Sequence, residues 1–267
     1  MAPSSAESAT DREFVALLET IQRDPAVAGA VLTGSKARDG MSTRWSDHDV
    51  FVIAHDGRGT DIGDRRTATL DVVAMGMAEF RRHALPGSGS EWNRYAFVGA
   101  RVVHDTPEGL IAELVARKTT LTPEEADSLA AGHLDAFVNS AYRALKNHRD
   151  GHPLAGHLDA AEAAPPLLTH VFALERRVRP YNKYLAWELA QRPLAAPAWR
   201  EDRLSGLLGE LVAHGRPDTL RRLFTDVEPL ARAAGHGPVL DAWGDDLLLL
   251  RGTAEPGPEA DSYHELP

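Results

Sequence analysis

Apolar residues are distributed along this chain in two different patterns. In the first hundred residues, short apolar runs typical of strands occur at about residues 28–33, 48–54, 67–75 and 96–104. An amphipathic helix precedes the first run, and a short helix is predicted at about residues 77–83. This pattern predicts an α+β fold in which a small mixed sheet carries helices on one face.

From about residue 105 onward, apolar positions recur at helical spacing. The sequence Thr122-Pro123-Glu124-Glu125 is a capping box with proline at the first helical position, and it predicts a helix to about His148. Further helices are predicted at about residues 154–164, 166–178, 181–190, 201–214, 219–234 and 238–250. We therefore expect a sheet domain at residues 1–118, an all-α helical bundle at 119–252 and a disordered tail at 253–267, which is rich in proline, glycine and acids.

Two acidic residues lie at the start of the second apolar run. Asp47 and Asp49 are two positions apart, so on a strand their side chains point to the same face. Two neighbouring carboxylates repel each other unless a cation lies between them. Oxygen ligands suit Mg²⁺, which binds one or two carboxylates and fills its other positions with water and substrate phosphates.

A third acid interrupts the next apolar run. If the strands that carry Asp49 and Asp71 are neighbours, Asp71 lies beside the first pair. Three carboxylates around one or two Mg²⁺ ions can align an attacking hydroxyl and neutralise charge on a phosphorus atom that is being transferred. The turn at Gly34-Ser35 follows the first apolar run and precedes a short segment whose free N–H groups suit an anion. Phosphate chemistry follows from this combination.

In this order, Gly34-Ser35, Asp47/Asp49 and Asp71 resemble the nucleotidyltransferase superfamily of DNA polymerase β, and in particular its branch that modifies aminoglycoside and lincosamide antibiotics. The resemblance implies a nucleotidyltransferase domain followed by a helical domain, with ATP or another nucleoside triphosphate as co-substrate. It also implies roles: the turn would hold the β- and γ-phosphates, Asp47 and Asp49 would hold metal, and Asp71 would contact metal and act as base toward a hydroxyl of a small molecule.

Four further residues are candidates for nucleotide binding. Lys36 and Arg38 could add a cation at the phosphates, or be solvated surface residues. In the superfamily, the helical domain closes over the cleft and lends a lysine and a tyrosine to the nucleotide, which implies Lys183 and Tyr184 here. The alternative is an ordinary helix whose aromatic residues are core and whose lysine is solvated.

Two other motifs have more than one interpretation. An arginine followed after four residues by a histidine, at Arg143 and His148, is the signature of a family of helical ribonucleases, but both residues also suit a helix C-terminus. Glu91 and Trp92 follow a glycine-rich loop. They would line an acceptor pocket or be a surface acid beside a buried tryptophan.

Composition and charge limit the function classes. The 267 residues include no cysteine, so disulfides, thiolate metal sites and a cysteine nucleophile are excluded. The formal net charge of −10 argues against wide contact with nucleic acid and favours a cationic or neutral acceptor. Neither a signal peptide nor a membrane-spanning run is evident, so we expect a cytoplasmic protein without membrane contact.

The sequence leaves the acceptor, the nucleotide and the oligomeric state open, with a homodimer among the alternatives. A toxin–antitoxin-type nucleotidyltransferase that modifies a protein or tRNA is a second candidate function. A binding protein with a relict site is a third, although retention of all three acids argues against it, because an apolar strand gains nothing from charges.

Overall fold

The computed structural model describes residues 5–253, without the side chains of residues 5–10 and 201. These residues form two compact units. The first comprises the described chain up to Glu124 together with Arg176–Pro193, and the second comprises 125–175 and 194–253. Apart from Thr253, the predicted tail lies outside the described residues. Within residues 5–253, no helix is long and apolar enough to cross a membrane.

The first unit is built on a five-stranded mixed sheet. Its strands are β1 (Val27–Thr33), β2 (His48–Ala54), β3 (Arg65–Arg66), β4 (Leu70–Gly76) and β5 (Arg101–His104). They lie side by side in the order β3-β4-β2-β1-β5, with β4 parallel to β2 and the other neighbours antiparallel. Every residue of β1 is buried, as expected for a strand covered on both faces.

Helices cover both faces of this sheet. On one face α1 (Ser5–Arg23) packs through Leu17 and Ile21 against even-numbered residues of β2 and β4. On the other face α2 (Met77–Arg82), a 3₁₀ helix at Glu91–Phe97 and α3 (Leu110–Thr119) cover the odd-numbered residues. The expectation of helices on one face was therefore wrong, because the alternating apolar residues of β2 supply a core on each side.

The second unit is helical. The α-helices of the remaining described chain are α4 (Pro123–Arg149), α5 (Pro153–Ala173), α6 (Leu185–Gln191), α7 (Glu201–His214), α8 (Pro217–Ala233), α9 (Gly237–Asp241) and α10 (Leu247–Arg251), and all except α6 belong wholly or mainly to this unit. The α+β class predicted from the sequence is confirmed.

Several predicted boundaries were wrong. The strand expected at 96–104 is reduced to β5, because residues 91–97 form a 3₁₀ helix. The two helices expected at 154–164 and 166–178 are one helix, α5, which continues through Pro165 and Pro166. The helix expected at 238–250 is broken into α9, a 3₁₀ turn and α10.

Candidate functional site

Two of the three predicted acids lie side by side on the sheet. In the parallel pairing of β2 with β4, Asp49 is directly opposite Asp71, so both side chains lie on the same face. Asp47 immediately precedes β2, two residues from Asp49. All three are half-buried. Asp49 and Asp71 lie on two of the three inner strands of the sheet, and Asp47 directly precedes one of those strands.

The carboxylates influence each other electrostatically. Burial of Asp49, together with repulsion from Asp47 and Asp71, raises the pKa of Asp49 from 3.8 to about 6. The positive charges of Arg38 and Lys183 oppose this rise without cancelling it. Part of this rise comes from repulsion between neighbouring carboxylates, which a bound cation would relieve.

The Gly34-Ser35 turn approaches Asp49 closely. Gly34 has φ 64° and ψ −159°, a conformation that is essentially restricted to glycine. A methyl group at this position would lie 1.8 Å from Asp49 Oδ2. Glycine is thus required at position 34 both by the backbone and by the carboxylate that packs on it.

A cleft of about 360 Å³ opens above these residues, within the range of small-molecule sites. Every residue that lines it belongs to the first unit. The lining comprises polar and charged groups of the sheet and its turn, apolar side chains, and five aromatic rings: Thr33, Gly34, Arg38, Asp49, Val50, Phe51, Asp71, Val73, Trp92, Asn93, Tyr95, Ala96, Tyr181 and Tyr184. Aromatic rings in this lining suit a flat ring, and the carboxylates would suit a phosphate only through a cation that both groups bind.

The predicted phosphate-binding residues have different environments. The Ser35 hydroxyl donates to Ser46 Oγ at 2.7 Å and is also hydrogen-bonded to the Tyr184 side chain. Arg38 is buried in the cleft wall, where it donates to the carbonyl oxygens of Gly34 and Val98 and lies 3.9 Å from the centre of the Tyr184 ring. Arg38 therefore holds the turn in place and adds positive charge beneath the cleft.

Lys36 does not line the cleft. Its ammonium group donates to Asp11 on α1 at 3.1 Å, and only 13% of its side chain is exposed. The same carboxylate lies 3.8 Å from His48, whose ring stacks on Phe14. Lys36 and Arg38 were equivalent candidates in the sequence analysis, but only Arg38 lines the cleft.

Lys183 and Tyr184 belong to the first unit, not to the helical one. They lie in a 3₁₀ turn at Asn182–Tyr184, where Tyr184 is buried and Lys183 is exposed but close enough to lower the pKa of Asp49. The following helix, α6, is anchored by a buried ion pair of 2.7 Å between Glu188 and Arg177. This segment therefore brings a mobile cation to the predicted metal site from outside the sheet.

The glycine-rich loop leads to an exposed tryptophan. Trp92 is 70% exposed and lines the cleft, so the alternative of a buried tryptophan does not hold. Glu91 does not line the cleft; its carboxylate accepts hydrogen bonds from the backbone N–H groups of Glu91 and Gly89, which lower its pKa.

Arg143 and His148 lie in the second unit and make structural contacts. Arg143 forms a 2.8 Å ion pair with Asp159, which also accepts a hydrogen bond from Asn147. His148 Nε2 lies 2.9 Å from the carbonyl oxygen of Gly215. These contacts join α4 to α5 and to the end of α7, which favours the packing interpretation of the motif.

The donor set can be compared with the requirements of Mg²⁺. Within residues 5–253, no group of three or more acidic or histidine side chains is arranged to hold a metal ion by itself. Mg²⁺, however, needs only one or two carboxylates when substrate phosphates supply further oxygens, and Asp49 beside Asp71 meets that need. Asp71 Oδ2 also lies 3.7 Å from Arg66 Nε, an exposed contact that a bound cation would replace.

Among the lining residues that were not predicted as site residues, Asn93, Tyr95 and Tyr181 carry polar groups that a ligand could contact. Tyr95 and Tyr181 stack with ring centres 5.4 Å apart, although 86 positions separate them in the chain. The one available signal was the aromatic content of both segments, and it could not show that the two segments meet.

No protein-family model matches this chain, and no curated protein matches its sequence. The evidence for a function therefore comes from the residues of the cleft.

Proposed function

We propose that this protein is a Mg²⁺-dependent nucleotidyltransferase that transfers AMP from ATP to a hydroxyl group of a small molecule, such as an aminoglycoside or lincosamide antibiotic. One observation carries the proposal. Asp49 and Asp71 lie side by side on parallel strands, and the pKa of Asp49 is raised to about 6 by burial and by repulsion from Asp47 and Asp71. The order of the motifs supports a place in the polymerase β-type superfamily.

Each residue then has a role in a direct displacement. Asp47, Asp49 and Asp71 would hold Mg²⁺, which supplies charge neutralisation at the phosphates when bound. The acceptor oxygen forms a bond to the α-phosphorus as the bond from that phosphorus to the bridging oxygen breaks, and pyrophosphate leaves with the electron pair. The proton of the acceptor hydroxyl passes to Asp71.

The surroundings of the acids support this assignment. The Gly34-Ser35 turn packs against Asp49, where the phosphates of a nucleotide would meet the metal, and N–H groups of such a turn would suit those phosphates. Lys183 can reach the same region as a mobile point charge. The exposed rings of Trp92 and Tyr181 offer stacking surfaces for a base or an acceptor ring. The net charge of −10 favours an acceptor that carries amino groups.

The test is an assay of the full chain with each nucleoside triphosphate, Mg²⁺ and a panel of hydroxylated antibiotics, read by mass spectrometry. We expect one acceptor to gain a nucleoside monophosphate. Asp49→Asn should lower the rate by about 100-fold or more, because it removes a charge from the metal site. Asp61→Asn is the matched control, since Asp61 is an exposed acid outside the cleft.

Two outcomes would contradict the proposal. The first is full activity in the Asp49→Asn variant. The second is the absence of transfer to any small molecule while α-labelled ATP marks a protein or tRNA, which would support the toxin–antitoxin-type alternative.

A further inference from the structure

We propose that Arg94 is a positioning residue that couples the two aromatic walls of the cleft. The first wall is residues 91–97, which carry Trp92 and Tyr95, and the second wall is residues 181–184, which carry Tyr181 and Tyr184. Only the kinetic effect expected of an Arg94 variant depends on the proposed function. The coupling itself is a property of the first unit.

Arg94 belongs to the first wall and lies between Trp92 and Tyr95 in the chain. Unlike those two residues, it does not line the cleft, and its side chain is buried. It donates through Nε to the carbonyl oxygen of Lys118 at 2.7 Å and through Nη2 to that of Thr120 at 3.1 Å. These carbonyls lie at the C-terminal end of α3, where a cation is stabilised by unpaired backbone oxygens and by the helix dipole. The planar guanidinium therefore fixes the first wall to residues 118–120.

Lys118 connects the end of α3 to residues 80–83, which also contact the first wall. It is fully buried, and its ammonium group donates to the carbonyl oxygens of Phe80 at 2.6 Å and His83 at 2.7 Å. The His83 ring in turn lies 3.0 Å from the Asn93 amide, which lines the cleft. The first wall is thus held from two sides by contacts that converge on the end of α3.

The end of α3 is also paired with the segment that leads to the second wall. Thr120 forms an antiparallel bridge with Arg177, and the N–H of Leu121 donates to the carbonyl of Arg176 at 2.9 Å. The Arg176 Nε returns a hydrogen bond of 3.0 Å to the carbonyl of Leu121. Five residues after Arg176 the second wall begins. Residues 118–121 are therefore shared by both walls.

The two walls meet again at the cleft. The rings of Tyr95 and Tyr181 are stacked, and Tyr181 contacts the edge of Tyr184 at 5.9 Å between ring centres. A shift of the first wall at Arg94 must therefore move Tyr181 through the ring stack or through residues 118–121. Since a misplacement of about 1 Å can cost about 100-fold in rate, this geometry matters for any ligand held between the rings.

The test is ¹⁹F NMR of the full chain labelled with 3-fluorotyrosine, with signals assigned by tyrosine-to-phenylalanine variants. Arg94→Lys keeps the charge but loses the planar fork. We expect it to shift the signals of both Tyr95 and Tyr181 and to leave that of Tyr142, in the helical unit, unchanged. Ile21→Val, which trims the core on the opposite face of the sheet, should shift none of them.

A second variant approaches the coupling from the other end and keeps the test valid if Arg94→Lys fails to fold. Arg176 is exposed, so Arg176→Lys should fold; it removes the hydrogen bond to Leu121 and should shift the Tyr95 signal. An unmoved Tyr181 signal in folded Arg94→Lys, or an unmoved Tyr95 signal in Arg176→Lys, would overturn the proposal.

The kinetic arm separates positioning from loss of stability. We expect Arg94→Lys to raise the KM for the nucleotide by about 10-fold with a smaller change in kcat, because its effect is on the walls and not on the acids. Ile21→Val should change neither. A wild-type chain without transferase activity contradicts the proposed function, whereas the NMR signals decide the coupling without any substrate.

Discussion

At position 34, the absence of a side chain allows the Asp49 carboxylate to occupy its observed position. The carboxylate of Asp49 packs directly on the Cα of Gly34, in the space that a Cβ would occupy. Gly34→Ala should therefore displace Asp49 and strain the backbone, and we expect loss of at least about 100-fold in transferase rate. Steady-state kinetics and a thermal unfolding measurement check this prediction.

Gly40 provides the matched control for that variant. It also has a positive φ, of 77°, but among the described residues, apart from Gly40 and its two chain neighbours, no heavy atom lies within 4 Å of the point where a Cβ would stand. Gly40→Ala should lose about 1 kcal/mol of stability, as expected for alanine in a left-handed conformation, and should keep its activity. Equal losses of activity in both variants would mean that backbone strain, and not the contact with Asp49, explains the glycine.

Among the helices, α5 carries a buried histidine that links pH to the stability of the helical unit. The Nδ1–H of His170 donates to the carbonyl of Ala130 on α4 at 2.8 Å, and Nε2 has no hydrogen-bond partner among the described residues. Burial, followed by repulsion from His236 and His133, lowers the pKa of His170 from 6.5 to about 4. The ring is therefore neutral in the folded protein at neutral pH.

The sign of the pH effect follows from that lowered pKa. Between pH 6.5 and about 4, the unfolded chain binds a proton at His170 that the folded unit does not, so the stability of the helical unit falls as the pH is lowered. The loss amounts to about 3 kcal/mol at most, from the 1.36 kcal/mol per pH unit of this linkage.

His170→Asn should flatten this part of the stability profile, because the asparagine amide can still donate to Ala130 but does not titrate. Denaturant unfolding followed by circular dichroism between pH 4 and 7 measures the effect. An unchanged slope in the variant would show that another group causes the acid sensitivity.

At the scale of the whole molecule, local patterns predicted the elements better than their connections. The strand expected at 48–54 is confirmed with the same bounds. Its run of apolar residues determines which segment is buried as a strand. Residues 96 and 97 were wrongly included in a strand. They end the 3₁₀ helix of residues 91–97, whose Arg94 makes contacts with the end of α3 that local preference does not predict. Helix α5 passes through two prolines that local rules treat as a helix boundary.

In the candidate site, too, contacts between distant segments could not be predicted from local patterns. Asp71 was expected beside the first pair of acids only if its strand was a neighbour of theirs, and the pairing of β2 with β4 meets that condition by placing Asp71 opposite Asp49. The orientation of Lys36 toward Asp11 and the meeting of Tyr95 with Tyr181 depend on contacts between distant segments, which one sequence does not encode in a local pattern. Arg176–Pro193 likewise belongs to the first unit, although it follows two long helices of the second unit in the chain, and it pairs there with residues 119–121.

The central claim is that Asp47, Asp49 and Asp71 share one site for a divalent cation. The most direct test is a ¹³C NMR titration of the Asp49 carboxyl carbon in metal-free protein, in Asp71→Asn, and in wild type with Mg²⁺. We predict a pKa of about 6 in metal-free wild type, and lower values both in Asp71→Asn and with Mg²⁺. A pKa near 3.8 that responds neither to Asp71→Asn nor to Mg²⁺ would contradict the account.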